Sequence, residues 1–127
     1  MSTSNALFTG IPGIFVPVRD LNRSAAWYST VLGLQEFQRS DITVEFKVGE
    51  GGPVLVLFQA EHDVPVRFPG NRHIDGNFFI FKTPDAEAAH RLLTDHGVPV
   101  TDILLYEGVQ KYFFFEDPDG NRLSVED

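Results

Sequence analysis

The sequence lacks cysteine altogether among its 127 residues, and it lacks long apolar runs. Without cysteine the chain can form no disulfide, thiolate metal site or cysteine nucleophile. No apolar run approaches the ~20 residues that cross a bilayer, and residues 1–9 show no basic segment followed by an apolar core, so we expect no secretory signal. We therefore predict a cytoplasmic protein that has no membrane partner.

Positive charge is also scarce. Ten Lys and Arg face eighteen Asp and Glu, which gives a formal net charge of −8. Because the basic residues are scattered and the surface repels phosphate backbones, we expect no nucleic-acid partner. The same field attracts a cationic small molecule, although we favour solubility alone as the explanation of the charge.

Phenylalanine, in contrast, is abundant, with twelve residues in the chain. Phe side chains fill a hydrophobic core, and they also line apolar pockets that bind small molecules.

One pattern occurs twice along the chain. A strand pattern over residues 14–18 leads to Asp20, and an Ala/Leu-rich helix then runs up to Gly33. Residues 78–85 repeat this order up to Asp85, with a second helix that ends near Gly97. The two acids are 65 residues apart. A period of half the chain predicts two copies of one structural unit.

Each copy is predicted to be a βαβββ module. The modules cover about residues 10–60 and 74–127, and residues 61–73 form the linker of a single domain. The expected strands lie near 11–18, 34–39, 42–48 and 53–59 in the first half, and near 76–82, 98–106, 111–116 and 121–126 in the second.

Helix signals support this division. Asp20 can cap the first helix, and Gly33 can end it in the left-handed conformation. Thr83 and Pro84 predict the cap and first turn of the second helix, with Ala89, Leu92 and Leu93 facing inward.

Two further features concern strands. Pro17 predicts an edge or a bulge in the first strand, and the apolar run 54–58 predicts a strand that is covered on both faces.

Two segments resemble the vicinal oxygen chelate superfamily, which includes glyoxalase I, bleomycin-resistance proteins and extradiol dioxygenases. Residues 16–28 (VPVRDLNRSAAWY), continued by 32–34, resemble its opening strand and helix, and residues 114–123 (FFEDPDGNRL) resemble its closing hairpin. The resemblance implies an α+β fold in which two βαβββ modules form incomplete barrels around a cavity. It also implies a homodimer.

The resemblance further implies where metalloenzymes of the superfamily hold their ligands. Matching by motif places these four positions at Gly13, Val56, Phe78 and Ser124. Three of these residues have no ligating side chain, and serine is a poor ligand, so we predict no metal and no other cofactor. Glu126, two residues after Ser124, would be a single carboxylate. A displaced divalent-metal site built from Glu61, His62, Asp63 and His73 is the alternative.

The same positions predict the lining of the cavity, since every second residue of a strand faces the same side. This lining is mostly apolar and aromatic, which suits a planar or partly apolar ligand. The alternative is that the Phe side chains fill the barrels and leave no pocket. The neighbouring positions Gly13, Pro17, Val54 and Lys82 share these faces, and the predicted cavity residues are Phe15, Val56, Phe58, Phe78, Ile80, Arg122, Ser124 and Glu126.

These features favour a metal-independent small-molecule-binding protein, of which sequestration of an antibiotic or metabolite is one version. The alternatives are a divalent-metal-dependent lyase, isomerase or dioxygenase of the superfamily, and a non-catalytic regulatory subunit. No catalytic residue can be assigned. Glu45, Glu107 and Glu116 lie in or beside strands and are the remaining candidates for a general base.

Overall fold

The computed structural model describes residues 7–61 and 67–127 of the chain. These residues form ten helices and strands. The order of one strand, one helix and three strands occurs twice along the chain. The elements are β1 (Gly13–Val18), α1 (Leu21–Thr30), β2 (Gln35–Arg39), β3 (Thr43–Lys47), β4 (Val54–Gln59), β5 (Ile80–Lys82), α2 (Ala86–Asp95), β6 (Leu104–Tyr106), β7 (Gln110–Glu116) and β8 (Arg122–Glu126).

The strands form two four-stranded sheets of identical topology. The first has the order β1-β4-β3-β2 and the second the order β5-β8-β7-β6. The first and last strands of each module pair in parallel, and the other pairs are antiparallel. The predicted α+β fold of two βαβββ modules is therefore confirmed, with open sheets and no closed barrel among the described residues.

The pairing register shows which residues of the two sheets are equivalent. Phe15 pairs with Val56 in the first sheet, and Ile80 pairs with Ser124 in the second. On the antiparallel side, Val56 lies beside Glu45 and Ser124 lies beside Phe114. The superfamily positions that were matched by motif at Val56 and Ser124 are thus equivalent in the sheets.

Both helices begin at an aspartate. The Asp20 carboxylate accepts a hydrogen bond from the Arg23 amide, and the Asp85 carboxylate accepts one from the Ala88 amide, each at 3.1 Å. The prediction that Thr83 caps α2 is wrong by two residues. Thr83 still extends β5, because its amide bonds Glu126 O, so the first free helical amides lie within reach of Asp85 instead.

Two predicted strands are shorter in the structure. The strand expected at 76–82 is regular only from Ile80, because Phe78 makes a single bond to Arg122 O before the ladder begins. The strand expected at 98–106 is regular only over Leu104–Tyr106, and Val100 forms one isolated bridge to Phe115. Pro17 lies in β1, which is an edge strand as predicted.

The helix-facing sides of both sheets share one hydrophobic cluster. It includes Val16, Tyr28 and Phe46 from the first module and Phe113 and Phe115 from the second, each at most 2% exposed. Leu93 of α2 packs into this cluster. Leu92 was also expected to face inward. It is 48% exposed instead, because it lines an open cleft between the modules.

The hairpin between β7 and β8 fastens the second module to the first. The buried Asp119 carboxylate accepts bonds from the Arg23 guanidinium (2.9 Å), the Ser24 hydroxyl (2.8 Å) and the Arg19 amide (2.9 Å). Asp117 accepts a bond of 2.6 Å from the Tyr28 hydroxyl. Each bond runs from the first module to the second, so these two carboxylates fix the relative position of the modules.

Burial governs the ionisation of the Tyr28–Asp117 pair. Burial, together with the charge of Asp117, raises the pKa of the Tyr28 hydroxyl well above its usual range, so the phenol remains a donor. Burial also raises the pKa of Asp117, and the hydrogen bonds from Tyr28 and Asn121 act in the opposite direction.

Among the described residues, neither helix is long and apolar enough to cross a membrane.

Candidate functional site

A cavity of about 510 Å³ lies on the open face of the second sheet, the face that is turned away from the helices. Its volume lies within the range of ~300–1000 Å³ that is typical of small-molecule sites. The sheet contributes its floor, and the chain before β5 contributes one wall. The floor residues are Ile80, Tyr106, Gln110, Tyr112, Phe114, Ser124, Val125 and Glu126, and the wall residues are Arg72, His73, Ile74, Asp75 and Asn77.

The floor is aromatic. The rings of Tyr112 and Phe114 meet edge to face, with their centroids 5.9 Å apart, which is a favourable distance for an aromatic pair. The Arg122 guanidinium lies over the Phe114 ring at 4.3 Å from its centroid. Arg122 thus supports one floor ring electrostatically. Its Nη2 atom is 3.7 Å from the Asp75 carboxylate of the wall, and its buried Nε–H has no acceptor within the described parts of the chain.

The polar groups of the floor are few. The Ser124 hydroxyl is 3.1 Å from Asn77 Oδ1 and 3.2 Å from the carbonyl oxygen of Phe79. Because it donates its only proton to these acceptors, it can offer a ligand only an acceptor lone pair. Glu126 is half-buried at the end of β8, and no described residue pairs with its carboxylate. Because Arg72, Gln110 and the hydroxyls of Tyr106 and Tyr112 also belong to the lining, the cavity presents aromatic surface together with hydrogen-bond donors and acceptors.

The structure separates the predicted cavity residues into three groups. Ile80, Ser124 and Glu126 lie in the floor of this cavity. Phe78 and Arg122 contact the chain that forms its wall. The remaining predicted residues, Phe15, Val56 and Phe58, lie on the open face of the first sheet, where the Phe15 and Phe58 rings are 6.1 Å apart.

Several residues of this cavity were not among those predicted from the sequence. Tyr112 and Phe114 were identifiable, because alternation along the strand antiparallel to β8 places them beside Glu126 and Ser124. No periodic signal marks residues 72–77, because they lie in a loop. That segment was assigned in part to the linker.

The four superfamily ligand positions do not fit a divalent cation. Gly13 and Phe78 offer no side-chain donor, Val56 is an apolar residue at 7% exposure, and the Ser124 hydroxyl bonds Asn77. Metal sites in proteins use carboxylates, imidazoles or several carbonyl oxygens. Within residues 7–61 and 67–127 no three His, Asp or Glu side chains come together as a possible metal site.

The displaced metal cluster stays a prediction, because His62 and Asp63 lie outside the described residues. His73 lies in the cavity wall, where its Nε2 atom is 3.2 Å from Arg72 Nε.

The remaining acidic candidates lie away from the cavity. Glu45 is on β3 in the first sheet, Glu116 is exposed at the end of β7, and Glu107 occupies a turn with a φ of 50°. A second cleft of about 510 Å³ lies between the modules on the helix side, with Lys82 and Leu92 in its lining. It contains none of the residues predicted for the site except Lys82.

Residues 10–125 match the family model described as the glyoxalase/bleomycin resistance protein/dioxygenase superfamily. The chain belongs to this superfamily. The match covers both modules, from before β1 to Val125 in β8, and so confirms the resemblance that the two sequence segments indicated.

Solved structures with the same fold come from several bacteria. A putative glyoxalase family protein from Bacillus anthracis is 16% identical, with a TM-score of 0.77 over 96% of this chain and 97% of that one. An antibiotic-binding protein from a Streptomyces species is 18% identical (TM-score 0.72; 95% and 97% covered). A lactoylglutathione lyase from Agrobacterium tumefaciens is 22% identical (TM-score 0.70; 93% and 92%). These likenesses establish the fold alone.

A curated relative, the histidinol-phosphate aminotransferase of Deinococcus radiodurans, is 36% identical over 69 residues, or 54% of this chain. The chain spans only 17% of the length of that protein.

Proposed function

We propose that this member of the superfamily binds a small organic molecule in the cavity of the second sheet, without a metal ion. The observation that carries the proposal is the floor itself. Ser124 occupies a position equivalent to a superfamily metal ligand, and the lining presents the rings of Tyr112 and of Tyr106, which is 60% exposed. Such a surface suits stacking against a ring system better than it suits the coordination of a cation.

The chemistry of the cavity narrows the ligand class. The described lining carries two carboxylates, those of Asp75 and Glu126, and one guanidinium, that of Arg72, and no described residue pairs with the carboxylate of Glu126. The chain as a whole carries a formal charge of −8, which favours the approach of a cation. We therefore expect a planar aromatic ligand that carries a positive charge or N–H donors.

The comparisons support two readings of this binding. The likeness to an antibiotic-binding protein is consistent with sequestration of an antibiotic or metabolite, in which case expression of the chain raises tolerance to that compound. The likeness to a lactoylglutathione lyase keeps a metal-dependent lyase, isomerase or dioxygenase as the alternative. The residues at Gly13, Val56, Phe78 and Ser124 argue against that alternative.

We also propose that the protein is a cytoplasmic homodimer. The first sheet leaves Phe15 exposed to 60% on its open face, where its ring contacts that of Phe58. A second copy is the simplest partner to cover apolar sheet faces of this kind. Light scattering on the full chain tests this: twice the 14.2 kDa chain mass is expected, and a monomer at micromolar concentration would contradict it.

The ligand class is tested with two tricyclic fluorescent probes of similar shape and opposite charge. We expect 9-aminoacridine, a cation, to bind more tightly than 9-anthracenecarboxylate when each is titrated into the full chain. Substituting Glu126→Gln should weaken binding of the cation by about tenfold, since a charged hydrogen bond is lost.

The matched control is Glu45→Gln, which removes a carboxylate from the open face of the other sheet and leaves the cavity intact. A stronger affinity for the anionic probe, or an equal loss in both variants, would overturn the proposed ligand class.

A further inference from the structure

We infer that residues 68–77, here called the cavity loop, are a preformed wall of the ligand site, and that Phe78 and Ser124 position it. The inference rests on the proposed function and deepens it, because it names the residues that give the second module its cavity. The cavity loop contributes Arg72, His73, Ile74, Asp75 and Asn77 to the lining.

The cavity loop is built to hold one conformation. A Cβ atom on Gly76 would overlap the carbonyl oxygen of Phe68, and one on Gly70 would lie 2.5 Å from the carbonyl oxygen of Ile74. Only glycine permits such close backbone approach. The two ends of the loop therefore touch through positions that tolerate no side chain.

Hydrogen bonds close the loop between these glycines. The Asn71 amide donates to Ile74 O at 2.8 Å. The Asn71 side-chain oxygen accepts from the amides of His73 (2.7 Å) and Ile74 (2.8 Å). An asparagine that bonds the backbone two and three residues on stabilises a turn, and these amides stay protected while the loop keeps this conformation.

Three contacts then attach the loop to the second sheet. The Phe68 ring meets the Phe78 ring edge to face, with centroids 5.1 Å apart. The Ser124 hydroxyl bonds Asn77 Oδ1 at 3.1 Å, and Asp75 lies 3.7 Å from the Arg122 guanidinium. Ser124 and Arg122 of β8 hold the end of the loop directly. The start of the loop is held through Phe78, which lies before β5 and whose amide bonds Arg122 O.

Two of the anchors stand at the positions that match superfamily metal ligands in the second module. Phe78 and Ser124 bind no ion by their chemistry, and each contacts a residue of the cavity loop. The geometry assigns them a positioning role: they hold the wall, and the wall with the aromatic floor encloses the ligand.

The test uses two variants that disturb the loop without touching the lining, because neither Phe68 nor Gly76 lines the cavity. Gly76→Ala introduces the backbone overlap, and Phe68→Ala removes the ring anchor. The controls are Gly10→Ala, whose Cβ meets nothing within 4 Å, and Phe37→Ala on β2, since Phe37 and Phe68 are 43% and 45% exposed.

Two measurements are made on each full-length variant. Hydrogen exchange at the amides of Asn71, His73 and Ile74 reports whether the loop is held, and titration with 9-aminoacridine reports the affinity. We expect both loop variants to exchange these amides at least about tenfold faster and to bind the probe roughly tenfold more weakly, because the site must be ordered on binding. Both controls should match the wild type.

Each departure from this pattern is decisive. Unchanged exchange in Gly76→Ala would show that the loop is not held as inferred. Faster exchange with unchanged affinity would show that the loop is no part of the ligand site. If the wild type does not bind 9-aminoacridine, the proposed ligand class is wrong, and so is the role of the cavity loop as a wall of that site. The exchange rates still show whether Phe68 and Gly76 hold the loop in place.

Discussion

The two modules of this protein share their topology and differ in what they do with it. Each has a ten-residue helix capped by an aspartate, and each sheet places its first and last strands side by side in parallel. The helix-facing sides merge into one core. The open faces have diverged: the face of the second sheet carries a cavity, and the face of the first carries an exposed pair of Phe rings.

Equivalent positions show where the divergence lies. Phe15 of the first sheet corresponds to Ile80 of the second, and Val56 corresponds to Ser124. The second member of each pair lines the cavity. The repeated scaffold therefore does not by itself make a site. The cavity loop makes it, and in the described part of the chain no comparable loop folds over the first sheet.

The link between the modules is equally one-sided. The turn between β7 and β8 carries Asp117 and Asp119, which bond residues of the first module. The corresponding turn between β3 and β4, residues 48–53, is rich in glycine and mostly exposed.

The largest effect is expected from breaking this link. Asp119→Ala leaves the Ser24 hydroxyl and the Arg19 amide without their buried acceptor, and should lower the free energy of unfolding by about 3 kcal/mol. Glu50→Ala in the turn of the first module should change it by less than about 0.5 kcal/mol. Urea denaturation measures both. Equal effects would mean that the two turns contribute alike.

The next largest effect concerns ligand binding by equivalent positions. Ile80→Ala removes apolar surface from the cavity floor and should weaken 9-aminoacridine binding between about threefold and about tenfold. Phe15→Ala, at the equivalent position of the first sheet, should leave the affinity unchanged. A loss of affinity in the Phe15 variant that matches or exceeds the loss in the Ile80 variant would mean that the ligand binds on the first sheet and not on the second.

The two helix caps should contribute equally to the stability of the protein. Asp20→Ala and Asp85→Ala each remove a 3.1 Å bond to a backbone amide, and each should cost about 1 kcal/mol of stability. Thermal and urea unfolding would measure the pair. A difference between them of more than about 1 kcal/mol would show that the caps are not equivalent.

The smallest effect is a pH dependence that comes from a buried carboxyl of the second module. Burial raises the pKa of Asp117 above the unfolded value, which is about 3.9. The native state therefore holds this proton more tightly, and the contribution of Asp117 to stability falls as pH rises from about 3.9 through the raised folded pKa.

Asp117→Asn should abolish this contribution, whereas Tyr28→Phe, which keeps the carboxylate, should retain it. Urea midpoints collected between about pH 4 and pH 7 provide the comparison. A slope that is the same in wild type and Asp117→Asn would contradict the raised pKa.

Much of the fold was readable from the sequence, because it is repeated and locally encoded. The spacing of Asp20 and Asp85 gave the two modules, and Gly33 has the positive φ, 70°, that its position after α1 predicted. Thr83 was mistaken for a cap because its pattern with Pro84 is typical of helix starts. In the structure the Thr83 amide instead bonds Glu126 O of β8, so Thr83 continues the strand.

The site was readable only in part. Alternation along β5 and β8 identified Ile80, Ser124 and Glu126, but it could not tell which of two similar sheets would hold a cavity. That choice depends on long-range contacts, such as Phe68 with Phe78 and Asn77 with Ser124. Loop residues that meet a sheet through such contacts have no period, so no pattern in the sequence marks them.

The most direct test of the account is a calorimetric titration of the chelator-treated full chain with 9-aminoacridine. The account predicts saturable binding of one probe per chain, unchanged when Zn²⁺, Ni²⁺, Fe²⁺ or Mn²⁺ is added. Saturable binding that appears only after one of these ions is restored, or no saturable binding at all, would contradict a metal-independent ligand site on the second sheet.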